Sequence, residues 1–367
     1  MSRVPGPAYW DYLKLDQLLG LQSGLGDTDA EVASDELHFI VVHQVYELWF
    51  KLVLRELRLA RDHLAAPRVA EETVPHVVHH LRRINEILKL AVDQFRVMET
   101  LTPQDFLDFR DKLMPASGFQ SFQLREIEIV LGFEETQRAA DAVAAMQQVR
   151  ALAAATPAGH LAMARIDAAR GELTLRAALH EWLYRTPIHG SGPQDPQDGA
   201  AVEAFLRDYL AALDALQAEQ VERAIAVQAG DPAVIRQRIA DTARQARAFL
   251  FADDADPKLR DRHRRIRAGL LFVESYRELP LLAWPRLLVD TIVELEEHLV
   301  LWRTRHARMV ERTIGRRMGT GGSSGVDYLD QTAQYRIFTE LWAVRTLLLP
   351  RRALPPLQNS NAYGFAR

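Results

Sequence analysis

The 367-residue chain contains no cysteine. That absence excludes disulfide staples, Cys-type zinc sites, iron–sulfur clusters, thiol nucleophiles, covalent C-x-x-C-H haem attachment and thiolate-ligated haem. Any metal chemistry therefore has to use histidine or carboxylates. An excess of one charge is missing too: 45 Lys+Arg oppose 49 Asp+Glu, for a net charge of −4. Without a basic stripe interleaved with aromatics, nucleic acid is not expected as a partner. No uncharged apolar run approaches the roughly 18 residues that span a bilayer. The N-terminal Met-Ser-Arg-Val-Pro-Gly-Pro lacks the apolar centre of a signal peptide. These features read as a cytoplasmic protein with no membrane partner.

Beta-branched runs with period-two alternation are scarce as well, whereas apolar spacings of three and four recur along the chain, which predicts an all-α fold. Ser34-Asp35 reads as the cap of a helix to about Leu64, and a second helix is expected from Val74 to about Leu101. Thr102-Pro103-Gln104-Asp105 is a start signal, since Thr accepts from backbone N–H groups, Pro is tolerated at the first helical position and Asp favours the positive helix end. Pro115 is expected to stop that helix, and another runs from Ser117-Gly118 to near Gly132. Between Glu134 and Arg265 Ala and Arg dominate, and residues 189–199 read as an exposed loop. A long helix follows from about Trp284 to Ile314, then a Gly-rich connection at 319–325 and a last helix from about Tyr328 to Leu349. The expected division is 1–133, 134–265 and 266–367, with the middle part a helical insertion between two halves of one core.

Two histidines break otherwise apolar stripes. Ile292, Leu295, Leu299, Trp302, His306, Met309 and Thr313 share one face of the late helix, and Phe39, His43, Tyr46, Phe50, Val53 and Leu57 share one face of the early helix. Singly, each is a core histidine bonded to a neighbouring carbonyl. Together they allow another reading, in which both helices pack about a flat apolar cofactor, one imidazole ligating iron and the other facing the opposite position. His63, His79, His80, His263 and His298 stand beside polar residues and are expected at solvent. Phe106, Phe109, Arg110 and Leu113 share a face, so Arg110 is a fork of donors on an aromatic wall, suited to a substrate carboxylate or to an internal acid. Residues 319–325 follow a helix and lack the G-K-[ST] ending of a phosphate loop. Their glycines, with Thr320, let backbone N–H groups approach a small anion, or form a plain linker. Tyr9, Trp10 and Tyr12 open a short amphipathic helix, with core packing the default and a pocket or subunit contact the alternative.

Five motifs then carry a resemblance. They are Tyr9-Trp-Asp-Tyr12-Leu-Lys-Leu-Asp16; Asp35-Glu-Leu-His-Phe39-Ile-Val-Val-His43-Gln44 with Glu47-Leu-Trp-Phe50-Lys51; Phe109-Arg110-Asp111 with Pro115-Ala-Ser-Gly-Phe-Gln-Ser121; Trp302-Arg303 with His306; and residues 319–325. In order and spacing they resemble the tryptophan 2,3-dioxygenase family, over roughly 9–132 and 276–350. The resemblance implies a haem-binding helical bundle core, haem b with ferrous iron in the active state, and a homotetramer. It also implies insertion of both atoms of O2 across the C2–C3 bond of L-tryptophan to give N-formyl-L-kynurenine. By the same resemblance His306 is the axial iron ligand and His43 the distal residue that bonds the indole N–H. Arg110 clamps the carboxylate, Thr320 meets the amino-acid head group, and Phe39, Phe106, Tyr9 and Tyr12 line the indole pocket, the tyrosines from a neighbouring subunit. Phe106 stands where relatives carry Tyr or Phe, and Leu37-His38 departs from the pattern by an extra imidazole. Two alternatives remain at this point: a related haem oxygenase acting on a modified tryptophan or another aromatic amino acid, and a haem sensor or cofactor-free helical interaction protein, which has no use for Arg110 and Thr320.

Overall fold

The computed structural model describes residues 6–138, 140–227, 231–321 and 325–364, without the side chains of Asp29, Ser34 and 140–145. Met1 to Pro5, the Ser34 cap and Gly322, Ser323 and Ser324 of the Gly-rich connection lie outside that description. Among the described residues the regular structure is helical, apart from one isolated bridge between Ile188 and Ser191.

The chain divides into two compact units. Unit 1 comprises Met1–Arg55, Ile84–Glu172 and Glu297–Tyr335; unit 2 comprises Glu56–Arg83, Leu173–Glu296 and Arg336–Arg367. The helices in chain order are α1 (Tyr9–Leu13), α2 (Leu15–Leu18), α3 (Ser34–Ala65), α4 (Val74–Met98), α5 (Pro103–Arg110), α6 (Phe122–Leu131), α7 (Ala140–Ala153) and α8 (Pro157–Arg170). They continue with α9 (Leu175–Arg185), α10 (Asp198–Val227), α11 (Pro232–Leu250), α12 (Arg260–Ser275), α13 (Ala283–Ile314), α14 (Val326–Thr332) and α15 (Thr339–Ala343). The unit boundary falls inside α3, α4 and α13.

Those three helices carry their apolar stripes at alternating steps of four and three. On α4 the buried set includes Val77, Leu81, Ile84, Leu88, Ala91, Phe95 and Met98; on α13 it includes Leu288, Ile292, Leu295, Leu299, Trp302 and Met309. A repeat of this period keeps one face of a helix turned to its neighbours over many turns. In unit 1 the stripes meet as an aromatic cluster: Tyr46 of α3 lies 5.4 Å from Phe95 of α4, and Trp302 of α13 lies 6.0 Å from Phe50 and 5.7 Å from Phe95. Each such ring removes upwards of 150 Å² from water, so burial there dominates the packing energy. The Tyr46 hydroxyl donates to the Ala91 carbonyl at 2.9 Å, which satisfies its one polar group.

By length and composition α3 is apolar enough to cross a membrane. Its residues Tyr46, Phe50, Val53, Leu54 and Leu57 are buried in the protein, while Val41 and Leu48 are exposed.

Local signals place most element ends. Thr102 accepts from the Asp105 N–H and Pro103 stands at the first position of α5. Gly132, at φ 109°, closes α6 in the left-handed conformation that glycine adopts without strain. Pro115 is not the stop: α5 already ends at Arg110, followed by a 3-10 turn at Asp111–Leu113.

Three further expectations are overturned. The predicted last helix does not run through from Tyr328 to Leu349. It breaks after Thr332, resumes at Thr339 and tightens to a 3-10 turn over Val344–Leu347. The cause is tertiary, because the buried Glu296 carboxylate accepts from the backbone N–H groups of Ile337 and Phe338 and from the Trp342 indole. The 189–199 loop is not simply exposed, since His189 and Asp198 are buried and Arg265 donates to Asp198 at 2.8 Å. Nor is His80 a solvent residue: it is half-buried, and its Nδ1 stands 2.6 Å from the buried Glu56 carboxylate.

Candidate active site

Unit 1 brings together the residues that the sequence singled out on α3, α5 and α13. On α3, the Phe39 ring packs tilted against His43, 4.0 Å between centroids. Phe39 also meets Phe106 at 6.0 Å and Phe109 at 5.7 Å, so α5 and α3 share one aromatic wall. His43 Nδ1 lies 2.7 Å from the Phe39 carbonyl oxygen. A carbonyl only accepts, so Nδ1 carries the proton and the neutral ring presents Nε2 as an acceptor.

His306 stands on the facing stripe of α13, 5.8 Å from Phe95 with the rings nearly parallel and 5.2 Å from Trp302. Desolvation first, and repulsion from a charged His43 second, together lower its pKa to about 4. His43 is also lowered, chiefly by desolvation, against the raising effects of the Phe39 carbonyl and Glu47. Yet His43 is exposed and His306 only half-buried by area. Apolar atoms crowd both rings while an edge of each stays open. No residue among those described hydrogen-bonds a His306 nitrogen. Of the two sequence readings, the core histidine bonded to a neighbouring carbonyl does not describe His306, although it does describe one nitrogen of His43.

Arg110 ends α5, and its Nη2 donates to the Met318 carbonyl at 2.5 Å. Its Nε is buried without a hydrogen-bond partner, and among the described residues no carboxylate pairs with it. The internal acid that would have made Arg110 structural is therefore missing. Thr320 donates through its hydroxyl to the Ala116 carbonyl at 2.6 Å, leaving oxygen lone pairs free to accept. Close packing fixes this contact, because a Cβ at Gly321 would stand 2.6 Å from Ser117 Cβ. Beside it lies a cavity of about 340 Å³, lined by Ser117, Phe119, Gln148, Leu152, Thr320 and Gly321 among others.

Tyr9 and Tyr12 do not join this wall within the chain. They are 70% and 76% exposed, as is Trp10 at 64%, so the core-packing default for α1 is wrong in the isolated subunit. His38 has a buried Nε2 without a hydrogen-bond partner among the described residues.

Behind the site, Glu128 of α6 ties the frame together. It accepts from Arg303 of α13 at 3.0 Å and from Arg125 and Arg138 at 2.8 Å each. Burial alone would raise its pKa, but the three guanidinium groups outweigh that and hold it at about 2. Removing one member of such a buried network costs about 3–5 kcal/mol. Sequence reading missed this network and also missed Phe95, whose place in the α4 stripe looks like that of any core residue.

The family described as "Tryptophan 2,3-dioxygenase" matches residues 1–348. The chain belongs to that family. It is 50% identical over 369 residues to the "Tryptophan 2,3-dioxygenase 2" of Ralstonia nicotianae, covering 98% of each chain. It is 47% identical to the "Tryptophan 2,3-dioxygenase" of Sorangium cellulosum, over 97% of this chain and 87% of that one. A "Tryptophan 2,3-dioxygenase-like protein" of Xanthomonas campestris is 48% identical over 72% of this chain. Membership brings haem as the cofactor, and the donor set fits it. The absence of cysteine excludes a thiolate ligand, and His306 offers a neutral imidazole, open at one edge in an apolar slot and without a hydrogen-bond partner among the described residues.

Proposed function

We propose that this tryptophan 2,3-dioxygenase family member inserts both atoms of O2 across the C2–C3 bond of L-tryptophan, yielding N-formyl-L-kynurenine, with haem b as cofactor and ferrous iron in the active state. The facing pair of neutral imidazoles, His43 and His306, carries the reading. His306 would hold the iron through its free imidazole nitrogen. When bound, haem supplies the centre at which O2 is activated.

The chain's own residues bind and orient. His43 accepts the indole N–H at Nε2, the nitrogen that its Nδ1 contact with Phe39 leaves unprotonated. Indole N–H is a poor acid, so His43 acts mainly by holding the ring. Arg110 turns its remaining N–H donors to the substrate carboxylate. Thr320 accepts from the ammonium group, since its own proton is engaged by Ala116. Phe39 and Phe106 form the indole wall and keep water out.

Tyr9 and Tyr12 complete the pocket of a neighbouring subunit in a homotetramer, which accounts for their exposure. An exposed apolar set on α3, α4 and α13, namely Val41, Leu48, Leu90, Val97 and Leu301, supplies further subunit contact. The protein works in the cytoplasm.

The test is anaerobic reduction of the haem-supplemented protein, then L-tryptophan and 18O2, with the haem spectrum and product mass followed together. Product carrying two labelled atoms is expected. One labelled atom would replace this reading by that of a related monooxygenating enzyme, and no haem band would end both.

A further inference from the structure

The Glu36–Lys112 ion pair has no place in the reaction just described, yet it lies between two parts of the site. Glu36 stands on α3 one turn before Phe39 and two turns before His43, on the same face. It is 7% exposed. A carboxylate so buried needs a partner, and it accepts from Lys112 Nζ at 3.0 Å. Lys112 sits two residues beyond Arg110 in the Asp111–Leu113 turn that ends α5. The N-terminal loop closes over the pair: a Cβ at Gly24, whose φ is +63°, would lie 3.6 Å from Glu36 Oε1 and from Ile40.

We infer that Glu36 and Lys112 are positioning residues that set the register between the indole-holding helix α3 and the carboxylate clamp Arg110. α5 has only eight residues. Its ring contacts with α3, Phe106 and Phe109 against Phe39, tolerate sliding and rotation. The Lys112–Glu36 contact near the Arg110 end is directional and restrains this motion. Arg110 itself is tied on its far side to the Met318 carbonyl, so the pair acts as the opposing stay. The inference rests on the proposed role of Arg110.

Ligand binding separates the two claims. L-Tryptophan and tryptamine, which lacks the carboxylate, are titrated against the ferric haem band of wild type, Lys112→Ala, Glu36→Ala, Lys112→Arg and Arg110→Lys. Lys112 is largely exposed, so its variants are expected to fold, and haem content with far-ultraviolet dichroism checks this. Lys112→Ala and Glu36→Ala weaken L-tryptophan about ten-fold, leave tryptamine unchanged and raise KM more than they lower kcat; Lys112→Arg restores binding. Equal weakening of both ligands, or none in Lys112→Ala, overturns the inference. Unchanged L-tryptophan affinity in Arg110→Lys would instead strike the reading of the site on which it rests.

Discussion

His189 of unit 2 and His306 of unit 1 are both imidazoles set among aromatic rings, and desolvation lowers the pKa of both. Their nitrogens differ. His189 is 8% exposed, its ring stands edge-on to Phe205 at 5.4 Å and Phe272 at 5.3 Å, and its Nδ1 accepts from the Gln358 N–H at 3.2 Å. His306 keeps an open edge and no hydrogen-bond partner among the described residues. An aromatic cage by itself therefore does not decide how an imidazole is bonded: His189 is engaged at Nδ1, His306 at neither nitrogen among the described residues. Arg110 makes the same point against Arg265. Each is an arginine at a helix-to-loop contact, but Arg265 is engaged with the Asp198 carboxylate and the Thr186 and Ser191 carbonyls, whereas Arg110 holds one carbonyl and, among the described residues, no carboxylate.

Substitutions test that contrast. The largest expected effect is on His306. His306→Ala should lose haem on purification and lower turnover by about 100-fold or more, measured by the haem-to-protein absorbance ratio and product formation. A purified variant with wild-type porphyrin ligation would remove the distinction altogether. The same change at His189 should act on folding alone. His189→Ala costs about 1–3 kcal/mol through the lost partner of Gln358 and the space left among the rings. Its urea midpoint falls while haem per folded chain stays at the wild-type level.

The smallest effect is the dependence on pH, read on the haem-free chain. Unfolded histidine takes up a proton below its ordinary value of 6.5, but folded His306 does so only near 4. The unfolded state thus binds more protons in that window, and unfolding free energy falls as pH drops from about 6.5 to about 4. His43 and His189 act in the same direction. His306→Phe should flatten the slope by its share without abolishing it; an unchanged slope would mean that His306 is charged in the folded chain.

The stripes that hold His43 and His306 were legible because helical periodicity assigns a face from spacing alone. The ends of α5 and α6 were legible because Thr102 and Gly132 act within one turn of themselves. The 326–349 region was not, since nothing local to it announces that Glu296 will take the N–H groups of Ile337 and Phe338. His189, beside a run of glycines, looked like a loop residue because its cage comes from α10 and α12 and its hydrogen bond from Gln358.

The amino-acid sequence by itself determined the helical class, the faces on which the two imidazoles stand, and the ligand chemistry left open when cysteine is absent. Folding settled that neither nitrogen of His306 is hydrogen-bonded and that no carboxylate pairs with Arg110 among the described residues, and that Glu36 meets Lys112. Periodicity and capping act within a few residues of chain, whereas hydrogen-bond satisfaction depends on groups that folding brings from far away in the sequence.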